Sequence, residues 1–203
     1  MSLSALVVED LDKVAPELKE VFKRGGIIAY PTETFYGLGA DPFNEDALER
    51  LFELKGRPRG KPILVVIREV SELTLLAADI PDVATSLIKR YWPGPLTIVF
   101  KAKEGLSELL TGGTGKIGVR LSSSPVTQRL VEILRSPLTS TSANPSGMSP
   151  ARDYKEVLEY FDDAVDVVIK AERLSADQPS TVVDVTAEKP VVIREGVIKI
   201  EGF

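Results

Sequence analysis

Neither cysteine nor histidine occurs in the 203 residues. Without cysteine there is no disulfide framework, no iron–sulfur ligation and no thiolate nucleophile. Structural zinc loses its usual ligands. Without histidine there is no Ser-His-Asp triad and no imidazole base. An enzyme of this composition works with carboxylates, hydroxyls, lysines, arginines, backbone dipoles or a bound cofactor, so positioning and electrostatics outrank covalent catalysis. Long apolar runs are missing too. The longest compact one, residues 63–67 (ILVVI), is far short of the ~18 residues of a membrane helix. The opening MSLSALVVEDLDK has no basic n-region and meets acids at Glu9 and Asp10, unlike a signal peptide. Basic residues are outnumbered 25 to 30, for a net charge of −5. An acidic chain makes a poor general nucleic-acid coat, yet it leaves room for a local cationic pocket. These absences imply a soluble cytoplasmic protein with no membrane contact.

What is present reads as one α/β domain over residues 1–203. A chain this long buries about 70% of its unfolded surface and needs no staple. Val14, Leu18, Val21 and Phe22 predict a helix over 12–24, closed by Gly25 and Gly26. Asn44 reads as the N-cap of a second helix, with Glu45 and Asp46 in its first turn. Further helices are expected over 81–91, 125–135 and 153–160. Strands are expected over 26–30, 63–67, 96–100, 117–121, 138–141, 165–169, 181–185 and 191–194. Such alternation predicts a twisted, mixed parallel and antiparallel sheet with flanking helices. The consecutive strands late in the chain suggest antiparallel pairs.

Three segments carry chemical potential. In residues 54–62 (LKGRPRGKP) four cations fall within seven positions with no acid among them. Glycine and proline make this a helix-to-strand connection that can aim charge at one point. A plain solvated loop is the alternative. Residues 140–147 (STSANPSG) follow a strand and can present hydroxyl and backbone donors, or form an ordinary turn. Residues 30–39 (YPTETFYGLG) can wall a small pocket, or form a second short strand with one wet face, which the pattern favours. The glycines of 110–116 (LTGGTGK) fail the P-loop spacing: Leu110 stands where glycine is required, and Ile117 where a hydroxyl is required.

Taken in order, YPTETFYGLGADPF (30–43), LKGRPRGKPILV (54–65), WPGPLTIVF (92–100), GVRL (118–121), STSANPSGMSP (140–150), STVVDVT (180–186) and IREGVI (193–198) resemble the YrdC-like family of threonylcarbamoyl-AMP synthases, in its short single-domain form. The resemblance implies a YrdC-like fold with one large concave pocket. It implies condensation of L-threonine, bicarbonate and ATP, with Mg2+ on the triphosphate, into threonylcarbamoyl-AMP and pyrophosphate for threonylcarbamoyladenosine in tRNA. Transient contact with tRNA-modification partner proteins and weak tRNA binding would accompany it. By motif, Lys55, Arg57, Lys61, Ser142, Asn144, Ser149 and Arg194 fall to ATP, with Lys55 and Arg57 catalytic. Thr32, Thr34, Arg120, Ser140 and Ser180 fall to threonine, and no residue falls to a protein-held metal. The residues do not say which group accepts a proton; Glu33 is one candidate. Two departures stand out. Many relatives read Pro-x-His-Pro after the Val-Arg pair, whereas this chain reads Leu121-Ser122-Ser123-Ser124-Pro125, and Lys116 occupies a position where a hydroxyl is common. Competing readings are an RNA-binding module, a carbamoyl-adenylate enzyme, and a divergent paralogue that keeps the fold without synthase activity. The glycine-rich 112–118 loop and the C-terminal segment are candidate lids over a product that water would hydrolyse.

Overall fold

The computed structural model describes residues 5–200, so residues 1–4 of the N-terminal reading and 201–203 of the candidate C-terminal lid lie outside the described residues. In chain order the elements are β1 (Leu6–Val8), α1 (Ala15–Lys23), β2 (Ile28–Pro31), β3 (Tyr36–Gly39), α2 (Glu45–Lys55), β4 (Leu64–Val66), α3 (Leu73–Leu76), α4 (Asp82–Tyr91), β5 (Leu96–Lys101), α5 (Glu108–Thr111), β6 (Lys116–Arg120), α6 (Pro125–Leu134), β7 (Leu138–Ser142), α7 (Tyr154–Phe161), β8 (Val167–Ile169), β9 (Thr181–Asp184) and β10 (Val191–Arg194). Local chemistry sets the helix ends. Asn44 caps α2 by accepting from the Ala47 N–H, and Gly56 closes it in the left-handed region. Ser124 caps α6 with Pro125 in its first turn, and Asp153 caps α7. Helix α1 starts at Ala15, later than residue 12, with Pro16 in its first turn.

The strands form one mixed sheet in the order β1-β8-β2-β3-β7-β4-β6-β5-β9-β10. Strand β7 sits at the middle, antiparallel to β3 on one side and β4 on the other. Beyond β4, β6 is parallel to it and β5 antiparallel to β6, while β9 runs parallel to β5. Of the late strands, only β9 and β10 pair antiparallel with each other. Strand β8 instead joins β1 and β2 in parallel. Strand β3 exists, but without the expected wet face. Tyr36 and Leu38 enter the core, while Gly37 and Gly39 let the backbone lie against Tyr30, Ser140 and Leu138.

Helix packing decides where a site can lie. On one face α1 and α6 bury Leu18, Val21, Phe22, Leu130, Val131 and Leu134 against Ile28, Tyr30, Val66, Leu138 and Val167. On the other face α2, α4 and α7 cover Ala29, Leu38, Val65, Ile98, Phe100, Ile117, Val119 and Val183. Successive side chains of a strand point to opposite faces. The partners of that second set, Thr97, Val99, Gly118, Val182 and Asp184, therefore share the α1 and α6 face beyond those helices' reach, with Leu64 at the boundary. There they line a cavity rather than a helix contact. No described helix is long and apolar enough to cross a membrane.

Candidate active site

The cavity has a volume of about 930 Å³. Five cations line it, Arg57, Lys61, Lys116, Arg120 and Arg194, against two carboxylates, Asp177 and Asp184. In a chain of net charge −5 this is a concentrated reversal of sign. Thr32, Thr34, Ser140, Ser142 and Ser180 line it as well. Nine of the twelve residues expected at the site thus meet in one cavity, drawn from six separate stretches of chain.

The charges separate into two ends. Lys116 and Arg120 open and close β6, about 13 Å apart at the ~3.3 Å rise of a strand. At the Arg120 end the residues are mutually bonded, and all but the exposed Arg194 and the half-buried Glu33 and Phe35 are buried. Arg120 lies 3.5 Å from the Glu33 carboxylate, and its Nε and Glu33 Oε1 are buried without hydrogen-bond partners. Ser122 Oγ donates to the other Glu33 oxygen. Thr32 and Thr34 share a hydroxyl contact of 3.1 Å, and Thr32 Oγ1 donates to the Phe35 carbonyl at 2.8 Å. Arg194 donates to Ser180 O at 3.0 Å and Ser180 Oγ at 2.9 Å, and that hydroxyl lies 3.0 Å from Thr97 Oγ1. Desolvation, and then the charge of Arg120, lower the Arg194 pKa. Two guanidiniums, one with only neutral partners, make a place for an anion.

Gly196 fixes this end. A Cβ there would stand 2.1 Å from the Pro179 carbonyl oxygen, and Val197 N–H donates to that oxygen at 3.0 Å. The chain after Arg194 crosses the 179–181 backbone at a distance only glycine allows.

The other end is built by the 54–62 connection, whose four cations diverge. Arg57 lines the cavity, donating to the carbonyls of Lys61 at 3.3 Å and Pro62 at 2.9 Å, and burial lowers its pKa. Lys61 reaches the cavity and stays exposed. Arg59 turns outward onto Glu49 in a two-bonded pair of 3.0 and 2.6 Å. Lys55 is buried away from the cavity wall. Its ammonium donates to the carbonyls of Ser142 and Asn144, and its own carbonyl accepts from Ser146 N–H at 2.9 Å. Burial, and then Arg57, push its pKa down to about 7.

The remaining two expected residues also lie off the wall. Asn144 is buried and donates to Pro145 O at 2.9 Å and Met148 O at 2.7 Å, shaping its own turn. Ser149 is exposed beyond that turn. The connection therefore directs two cations into the cavity, and a third braces the hydroxyl loop. Thr97, Asp177 and Asp184 line the cavity without having been expected there, and Thr114 and Lys116 of the candidate lid loop line it without having been given a ligand. For Thr97 and Asp184 the signal was strand alternation, since each lies between residues committed to the helix-covered face, and Lys116 falls on the same face, at the alternate position before Gly118.

A twisted mixed sheet with one cation-lined cavity over its uncovered half defines the class. The model of the Sua5/YciO/YrdC family, described as "Telomere recombination", matches residues 20–196, and the chain belongs to that family. It is 42% identical over 164 residues to the threonylcarbamoyl-AMP synthase of Pseudomonas aeruginosa, covering 81% of this chain and 88% of that protein. It is 37% identical over 179 residues to the threonylcarbamoyl-AMP synthase of Pyrococcus abyssi, covering 88% of this chain but only 53% of that protein. The fold superposes on the crystal structure of P. abyssi Sua5 complexed with L-threonine with a TM-score of 0.89 and 34% identity, over 95% of this chain and 57% of that one.

Proposed function

We propose that the chain, acting as a single domain, is an L-threonylcarbamoyladenylate synthase. The observation that carries this reading is one cavity with two anion-seeking ends, only one of which is a compact hydroxyl pocket. A small hydroxy amino acid and a polyphosphate are the substrates such a division suits. Relatives named threonylcarbamoyl-AMP synthase, and a Sua5 structure holding L-threonine, support it.

In this reading Arg120 takes the threonine carboxylate while Thr32, Thr34, Ser140 and Ser180 surround the side chain and amine. The amine captures the carbon of bicarbonate, with loss of water, to give a carbamate. A carbamate oxygen attacks the α-phosphorus of ATP, the P–O bond to the β-phosphate breaks, and pyrophosphate leaves with the electron pair. No protein nucleophile is needed. The chain's task is to hold two anions together and to neutralise charge developing on phosphorus and on the leaving group. Arg57, Lys61 and Arg194 meet that need, and Ser142 offers a hydroxyl to the nucleotide. Lys55 serves by anchoring the Ser142–Asn144 turn, Asn144 by shaping it, and Ser149 by flanking its mouth. Mg2+ would travel on the triphosphate, for it keeps several waters and takes few protein ligands. The product would pass to a tRNA-modifying partner in the cytoplasm.

The test is pyrophosphate release with ATP, Mg2+, bicarbonate and L-threonine, each omitted in turn. Release that requires both bicarbonate and threonine, and is much weaker with serine, is the expected result. ATP binding without turnover would favour a paralogue lacking synthase activity. No interaction with ATP would overturn the reading.

A further inference from the structure

The sequence marked Lys116 as a departure from the family pattern without giving it a ligand, yet its side chain lines the cavity and is 42% exposed, so a ligand can reach it. Which end it serves follows from the packing. Gly112, four residues upstream, presses against the 60–62 segment, where a Cβ would meet Pro62 N at 2.8 Å and Gly60 O at 2.9 Å. Lys116 therefore enters from the Arg57 and Lys61 side, about 13 Å along β6 from Arg120. Its Nζ donates to Asp184 Oδ2 at 2.7 Å. Asp184 does not depend on that contact, because its other oxygen accepts from Thr186 N–H at 2.8 Å and Thr186 Oγ1 at 2.6 Å. Between the two lies Val99, whose register partners are Gly118 and Asp184.

We propose that Lys116 is a third polyphosphate-binding cation, which exchanges Asp184 for an oxygen of the β,γ-diphosphate group of the nucleotide and of the pyrophosphate it becomes. Asp184 is then its holding partner, keeping the ammonium over the floor and away from the Arg120 end. The chemistry is reasonable on both sides. A phosphate oxygen offers a charged acceptor equal to a carboxylate, and the released Asp184 keeps two donors. This inference rests on the synthase reading, and its test separates the two.

Calorimetric titration of the wild-type chain, Lys116→Thr and Asp184→Asn is carried out with ATP, AMP, inorganic pyrophosphate and L-threonine, alongside thermal melts. Lys116→Thr is expected to weaken ATP and pyrophosphate at least ten-fold, about 1.4 kcal/mol, with AMP and threonine within two-fold. Asp184→Asn is expected to bind ATP as tightly as wild type or about two-fold tighter, since it frees the lysine. If the ion pair were merely structural, both variants would weaken ATP alike, and that result overturns the proposal. So does a folded Lys116→Thr that binds ATP and pyrophosphate like wild type, or one that loses AMP equally. A wild-type chain that binds threonine but neither ATP nor pyrophosphate overturns the synthase reading and this proposal with it.

Discussion

At its Arg120 end the cavity is walled mostly by buried side chains committed to one another, with only Arg194 of them exposed, whereas at its Lys61 end the charges stand on a loop and keep contact with solvent. The difference is one of construction. Thr32, Thr34 and Ser140 sit in or beside central strands, and their hydroxyls are held by neighbours with little freedom. Arg57 and Lys61 hang from a glycine- and proline-rich connection. The first arrangement selects shape and hydrogen-bonding pattern, because a misfit leaves buried polar atoms unpaired. The second supplies charge to a group that changes geometry during reaction, for which position matters less than sign.

Removing Arg120 tests the rigid end most severely. Arg120→Met leaves the Glu33 carboxylate buried beside Ser122 with no counter-charge, and breaking a buried pair on one side is strongly destabilising. We expect at least a hundred-fold loss of pyrophosphate release, about 2.7 kcal/mol, with threonine binding lost and ATP binding largely kept. Separate titrations of the two ligands check this. Equal loss of both would show that the ends are not independent.

Lys55 joins the two ends, and Lys55→Met is expected to reduce turnover at least ten-fold, about 1.4 kcal/mol, by releasing the turn that carries Ser142 and Asn144. Threonine and ATP should both bind more weakly, unlike the Arg120 case. The same variant has a pH signature. Burial lowers the Lys55 pKa to about 7 from 10.5. Between those values the unfolded chain binds the proton that the folded chain has lost, so this residue makes stability rise with pH. Its cost is absent above about 10.5, grows as pH falls, and levels off below about 7. Melting temperatures measured from pH 7 to 10.5 should therefore climb more steeply for wild type than for Lys55→Met. Parallel profiles would refute the assignment.

Much of this arrangement was legible in the chain. The helices announced themselves through apolar spacing and, as with Asn44, through caps, because both signals are local. Strands β1 and helices α3 and α5 were not legible, since three or four residues carry too little periodicity. The dense cationic run was visible, but its division was not. Whether a lysine faces a cavity or a pair of carbonyls depends on where residues 142–146 pass, nearly ninety positions away. For the same reason Asp184 looked like an ordinary strand polar, and Lys116 like a departure from the family pattern with no ligand, until β5 brought β6 and β9 to either side of it.

Gly196 bears on the rigid end through packing alone. Gly196→Ala forces a methyl against the Pro179 carbonyl, and overpacking of this kind costs typically 1–3 kcal/mol. We expect a lower melting temperature and a several-fold weaker turnover through displaced Ser180 and Arg194, with the Arg57 end unaffected. A variant that melts like wild type would mean that the chain after Arg194 can lift away, and that this end is less rigid than its hydrogen bonds suggest.

The smallest effect belongs to Arg59, and it sharpens the comparison most economically. Arg59 and Arg57 share one loop and one charge, separated only by Pro58. One points into the cavity and the other onto Glu49 at the surface. If the cationic end worked as a diffuse field, the two would matter alike, since charges this close differ little in potential at a distance beyond the Debye length of ~8 Å. If it works by contact, direction decides. Arg59→Ala should then keep activity within two-fold, while Arg57→Ala loses at least ten-fold under the same conditions. Raising the salt concentration should leave that ratio unchanged, because the loss in Arg57→Ala is one of placed hydrogen bonds rather than long-range attraction. Comparable losses in the two variants, both fading with salt, would identify the loop as an electrostatic collar and not a set of phosphate ligands.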